Sequence, residues 1–188
     1  MDLPELESIA AECTLCELHS SRIKSVFSRG SYTSGIIVCG MCPGRDENKA
    51  GSPFVGTAGK VLDSILVEAF GDSNSLDIDV YITNLVKCFV PPGTPLHETW
   101  MSACLPYFIA QIGLMQPKVI IALGRDVSNF LLSNDWQMKN LRGKTFDYMK
   151  NVKLISTYHP SFLARGGGIK HRDYSKVVED FRKVLDYV

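Results

Sequence analysis

Residues 40–59 read G-M-C-P-G-R-D-E-N-K-A-G-S-P-F-V-G-T-A-G, and no other stretch constrains the chain as much. They follow the apolar β-branched run Ile36-Ile37-Val38-Cys39. They lead into Val61, Leu62, Ile65, Leu66 and Ala69, an apolar set at helical spacing. The stretch is therefore a long strand-to-helix connection. Glycine permits backbone conformations closed to other residues and lets a ligand approach the main chain. In an open parallel α/β sheet, ligands bind beyond the carboxyl ends of the strands, where such connections lie. A connection this long is usually functional or disordered, and Phe54 in its middle argues for order.

The rest of the chain fits an α/β reading. Apolar runs predict buried strands over 36–39, 80–83, 119–123 and 152–156. Helices are expected over 4–12, 57–70, 99–115, 125–132 and 173–187, with Thr99 as an N-cap and Pro106 interrupting the third. Gly71 and the polar run Asp72 to Ser75 would stop the second helix. Residues 20–34 are polar and without period, so they read as loop. Residues 91–95, P-P-G-T-P, form a rigid connection that can continue neither element. Strands alternating with helices imply a mainly parallel sheet covered on both faces. No composition shift divides the chain.

A chain of 188 residues is long enough for one domain with a real core. No apolar run is long enough to span a membrane. The acidic start M-D-L-P-E-L-E lacks the layout of a signal peptide, so a cytoplasmic protein is expected. Net charge is zero, but residues 1–100 hold 7 Lys/Arg against 13 Asp/Glu and residues 101–188 hold 13 against 7. The second half is therefore the better candidate to face phosphates.

Six cysteines are present. Cys39 lies on a strand, where a buried thiol is inert packing. Cys42 belongs to the central connection. Cys13-x-x-Cys16 has metal-ligand spacing, since two thiolates so placed reach one centre. A redox-active pair would normally open a helix after a strand, and no strand precedes this one. With Cys88 and Cys104, these residues could hold zinc or an iron–sulfur cluster, and spacing does not decide between them.

Four blocks then occur in order: G-x-x-P-G with G-S-P-F-V-G-T-A-G, V-Y-I-T-N-L-V-K-C, C-L-P-Y-F-I-A-Q-I-G-L-M-Q-P-K-V-I-I-A-L-G-R, and T-Y-H-P-S. Together they resemble the iron–sulfur (family four) uracil-DNA glycosylases over nearly the whole chain. The resemblance implies one such domain over 1–188. Its fold would be a three-layer α/β/α sandwich with a central four-stranded, mainly parallel sheet. It also implies a structural [4Fe–4S] cluster on Cys13, Cys16, Cys88 and Cys104, and excision of uracil from single- or double-stranded DNA. A monomer is expected, with a replication or repair protein as partner.

The implied roles suit the chemistry. A base must leave the duplex to be cleaved. Phe54 would stack on the flipped uracil, and Gly40, Met41 and Cys42 would line its pocket. Asn84 would pair with the uracil edge, because an amide offers a donor and an acceptor together. His159 would donate to the uracil carbonyl as negative charge grows there. Glu47 would orient water and face the sugar cation. In the segment 161–172, S-F-L-A-R-G-G-G-I-K-H-R, Ser161 would touch DNA and Leu163 or Phe162 would fill the gap left by the base. Arg165, Lys170 and Arg172 would hold phosphates, and the three glycines would make this loop mobile.

Met41 and Cys42 depart from the family, which has an acidic residue and then a small one at these positions. Two other readings stand beside the glycosylase. One is a non-catalytic member of the superfamily that binds DNA or a DNA polymerase. The other is a zinc-binding α/β protein with a different substrate.

Overall fold

The computed structural model describes residues 1–71 and 80–188. The expected helix-stopping run Asp72 to Ser75 lies outside them. Six strands form one sheet: β1 (Ser28–Gly30), β2 (Ile36–Gly40), β3 (Tyr81–Asn84), β4 (Val119–Leu123), β5 (Thr145–Met149) and β6 (Val152–Thr157), in the order β1-β3-β2-β4-β6-β5. The four inner strands are mutually parallel, and β1 and β5 pair antiparallel at the two edges. The expectation of four strands is thus corrected to six. The sequence supplied the parallel centre, and the edges escaped it for physical reasons. β1 is three residues long, too short to carry a period. β5 is only partly buried and is held by its hairpin with β6, which turns through Asn151 at φ 65°.

Along the inner strands, alternate residues enter opposite cores, as a period of two demands. Ile36, Val38, Ile82, Ile121 and Ile155 meet α3 (Thr57–Phe70) and α8 (Tyr174–Arg182) through Leu62, Ile65, Val177 and Phe181. Ile37, Cys39, Tyr81, Ile120 and Leu154 meet α4 (Glu98–Met115) and α5 (Arg125–Leu132) through Phe108, Ile112, Val127 and Leu131. Helices therefore cover both faces. A third cluster joins Leu18, Val86, Cys88, Val90, Trp100 and Cys104. Among the described residues no helix is long and apolar enough to cross a membrane.

Several helices sit close to expectation. The N-terminal helix, Leu3–Ala11, starts at a capping box made by Asp2 and Glu5. The helix α4 begins at Glu98 after His97, not at Thr99, and it runs through Pro106 unbroken. The last helix ends at Arg182 and continues as a 3₁₀ turn, Lys183–Asp186. The central connection is not irregular throughout, because residues Arg45–Ala50 form a short helix inside it.

Chain order sends β2 to β3 on one side and returns through α4 to β4 on the other. The ends of β2 and β4 therefore flank a topological switch point, the usual ligand position in such sheets. Gly40 pairs with Asn84 in register, so both lie at this carboxyl edge.

Candidate active site

Gly40 is the floor of the site. A Cβ there would stand 2.7 Å from Phe54 Cζ and would collide with Asn84 Oδ1. No side chain larger than glycine's leaves room for both groups. Asn84 closes β3 and is buried, and its Oδ1 has no hydrogen-bond partner among the described residues. Buried polar atoms are nearly always paired, so an orphaned amide oxygen at the carboxyl edge of the sheet suits a group that arrives from outside.

Phe54 adopts φ 54°, a left-handed conformation that costs a bulky residue energy. The loop holds it from both sides. Glu47 Oε1 accepts from Val55 N at 2.9 Å and Gly56 N at 2.8 Å. Arg29 Nε donates to the Pro53 carbonyl at 2.9 Å while its other end pairs with Asp63 at 2.5 Å. Gly59 lets the first turn of α3 close over the Phe54 carbonyl. Glu47 thus serves the loop directly, a task its sequence position did not reveal. Its Oε2 lies over Gly44, where a Cβ would be 2.5 Å away.

His159 stands across from Phe54, ring centroids 5.8 Å apart and tilted by 33°. It caps α7 (Pro160–Arg165), with Nδ1 accepting from Ser161 N at 3.1 Å and lying 2.8 Å from Ser161 Oγ. The ring is only partly exposed. Burial pushes its pKa down to about 4, Arg165 pushes the same way, and Asp126 and Glu47 oppose them. The imidazole is therefore neutral near pH 7. With Nδ1 accepting, the proton sits on Nε2, which is a donor.

The side chains of Met41 and Cys42 pack into the apolar clusters on the α4 face of the sheet. The Met41 side chain is buried in the core under α4 and α5, and its carbonyl accepts from Val86 N at 2.8 Å. Only its main chain belongs to the site edge. Burial, aided by Asp126, pushes the Cys42 thiol up to about 11, so it is not a thiolate at neutral pH. The same cause pushes Cys39 up to about 12, as inert packing requires.

The 161–172 segment needs two corrections. Leu163 is fully buried in the core under α3 and α8, so it cannot fill a gap in DNA without leaving that core. Phe162 is the exposed neighbour, its ring tilted against Tyr158 at 4.9 Å between centroids and edge-on to His171 at 4.7 Å. The glycines are not there for looseness. A Cβ on Gly166 would strike the His171 ring, and Gly167 and Gly168 take positive φ leading into a 3₁₀ turn, Gly168–Lys170. Arg165, Lys170 and Arg172 are exposed, with Arg172 lying 3.6 Å from Asp173.

Cys13, Cys16, Cys88 and Cys104 line one narrow cavity with Arg22, Lys87 and Tyr107. Arg22 donates to Cys88 Sγ at 3.3 Å and also to the Ala11 carbonyl. Among the described residues no three His, Cys, Asp or Glu side chains close on a single metal ion. A tetrahedral ion would need sulfurs within about 4 Å of one another, given Zn–S bonds near 2.3 Å. Four thiols around one cavity form a donor set of the kind that holds zinc or an iron–sulfur cluster. Burial pushes Cys88 up, and Cys104 up to about 11. Such thiols ionise when a metal displaces the proton.

A cavity of about 740 Å³ between α4 and α5 is lined by neither Asn84, Phe54, His159 nor Glu47.

The switch point of this α/β sheet thus carries an orphaned amide oxygen, an aromatic ring and a neutral histidine. The profile of the Uracil DNA glycosylase superfamily matches residues 27–182. A type-4 uracil-DNA glycosylase of Thermotoga maritima is 36% identical over 190 residues, covering 98% of this chain and 95% of that protein. The type-4 enzymes of Pyrobaculum aerophilum and Saccharolobus solfataricus are each 36% identical, covering 88% and 98% of this chain and 86% and 87% of their own. The chain belongs to the uracil DNA glycosylase superfamily and sits among relatives of type 4.

Proposed function

We propose that this protein is a uracil-DNA glycosylase, which flips uracil out of DNA and hydrolyses its N-glycosidic bond, with residues 1–188 acting as one domain. The observation that carries the reading is the orphaned Asn84 Oδ1 beside Gly40, with Phe54 packed against the same glycine and the His159 ring facing Phe54. Uracil offers a ring N–H to that oxygen and a flat face to Phe54. As the C1′–N1 bond breaks, its electron pair passes to the base. His159 donates to the carbonyl where that charge collects. A preorganised donor of this kind favours the transition state over the ground state. The Glu47 carboxylate faces the sugar cation and takes the proton from the water that bonds to C1′, and that proton passes by way of solvent to the uracil anion. Phe162, Arg165, Lys170 and Arg172 face the DNA. A monomer in the cytoplasm, with a replication or repair protein as partner, fits this role.

The test is to incubate purified protein with uracil-containing oligonucleotides and cleave abasic sites with alkali. Strand cleavage at uracil is expected in the wild type and is lost with Asn84→Ala. Tight DNA binding without cleavage would favour the non-catalytic reading.

We further propose that Cys13, Cys16, Cys88 and Cys104 hold a [4Fe–4S] cluster, which supplies a structural tie between the N-terminal segment and α4. The one cavity the four thiols share supports this set. Anaerobically purified protein should be brown, with about four irons and four sulfides per chain. Cys88→Ala should lose solubility and iron together, because binding a metal centre is coupled to folding. Stoichiometric zinc in a colourless protein would refute the cluster.

A further inference from the structure

We propose that Lys87 is the positioning residue of Asn84, a buried ammonium that fixes where the base-recognising side chain projects. The proposal rests on the role given to Asn84 above. Lys87 is 2% exposed. Its Nζ donates to the Asn84 carbonyl at 2.6 Å, to Thr83 Oγ1 at 2.8 Å and to Gln111 Oε1 at 2.8 Å. An ammonium has three donors, and all three are used here. The rings of Phe27 and Phe108 lie 5.4 and 5.9 Å from the nitrogen and add cation–π attraction.

The partners are themselves held. Thr83 Oγ1 donates to the Phe27 carbonyl at 2.7 Å, and Gln111 Nε2 donates to Tyr81 Oη at 2.7 Å. Thr83 and Gln111 are fully buried. Desolvating a lysine is costly unless it is fully hydrogen-bonded, and this one is. Such a network is rigid only while complete.

The network is centred on Asn84 because the sheet stops supporting that residue there. Pairing with β1 ends at Ser28 opposite Thr83, one residue short of Asn84. On the other side Leu85 N and Val86 N still reach the Gly40 and Met41 carbonyls at 2.9 and 2.8 Å. Lys87 therefore supplies on the β1 side what the ladder no longer supplies. Among the described residues the Asn84 side-chain oxygen has no hydrogen-bond partner of its own, so its direction follows the main chain and the packing around it. Lys87 also precedes Cys88, and Gln111 shares α4 with Cys104, so the same strut lies against the cysteine cavity.

The test uses the full chain and Lys87→Met, which keeps the length and removes the donors. Freed of its strut, Asn84 shifts, and a displacement near 1 Å costs about 100-fold in rate. Single-turnover uracil release should fall by about that factor. Inhibition by free uracil should weaken about tenfold, the scale of one spoiled hydrogen bond. Iron content and affinity for an abasic-site oligonucleotide should match the wild type. Gln111→Leu removes one of the three acceptors of Lys87, and with it the donor to Tyr81 Oη, while leaving Lys87 and its bond to the Asn84 carbonyl in place, and should give a smaller loss in the same two readouts. It carries the test if Lys87→Met fails to fold. Unchanged uracil inhibition in a folded variant would overturn the assignment. So would a parallel loss of iron, abasic-site affinity and rate, which would mark Lys87 as merely structural. Failure of the wild type to release uracil would instead overturn the glycosylase reading itself.

Discussion

Replacing His159 with alanine is expected to slow uracil release by about 100- to 1000-fold, the usual effect of removing one donor aimed at a developing oxyanion. The geometry explains why the effect should fall on the chemical step. Ser161 holds Nδ1 as an acceptor, which leaves Nε2–H as the only proton the ring can offer. Burial holds the pKa at about 4, so the donor is a neutral imidazole throughout the physiological range. Single-turnover rates in the wild type should then follow no His159 titration between about pH 5 and 8 and should change only as pH falls toward 4. A full inflection near 6.5 that vanished in His159→Ala would refute the neutral donor. Stability follows the same linkage. The folded pKa of about 4 lies below the ordinary 6.5, so the unfolded chain binds more protons between them. The contribution of His159 to stability is complete above 6.5 and is lost as pH falls through this window to 4. His159→Ala should therefore unfold with a shallower pH dependence there, measurable by denaturant titration at several pH values.

Much of this site was legible because its residues stand where a periodic pattern breaks. Asn84 ends an apolar strand, His159 follows another, and Phe54 interrupts a glycine-rich connection; each is the odd residue in its context. The four inner strands and α3 were legible because both faces of the sheet are buried and runs such as V-I-I-A-L have few alternatives. What escaped depends on contacts distant in sequence. The edge strand β1 exists because it pairs with β3 more than fifty residues away. Leu163 and Phe162 are adjacent and both apolar, and only packing against α3 and α8 decides which is buried. Lys87 could have been found. It is the one charge in L-V-K-C-F-V, as Gln111 is the polar residue in F-I-A-Q-I, and a charge inside an apolar run asks for a buried partner. The loop clamp made by Glu47 had no such signal, since the main-chain amides of Val55 and Gly56 carry none in their letters.

Glu47 should show the other large effect, and its position calls for two substitutions. One oxygen accepts from Val55 and Gly56 and so helps hold Phe54 in its strained conformation. A second role, as the negative charge facing the sugar cation and the attacking water, needs ionisation rather than shape. Glu47→Gln keeps an acceptor oxygen for the two amides and removes the charge. Glu47→Ala removes both. We expect Glu47→Gln to lower single-turnover excision by about 100-fold or more, within the range for a lost general base. Its affinity for uracil-containing DNA and its inhibition by free uracil should stay at wild-type values. Glu47→Ala should lose as much rate and also bind free uracil more weakly, because Phe54 is no longer held against the base. Cys42→Ala is the control. Its thiol is held protonated by burial and packs between two apolar clusters, so its loss should leave the rate within about twofold. Full activity in Glu47→Gln with reduced activity in Glu47→Ala would confine Glu47 to the loop clamp. Full activity in Glu47→Gln together with inactivity in Cys42→Ala would move the chemistry to the thiol and refute a carboxylate-centred site.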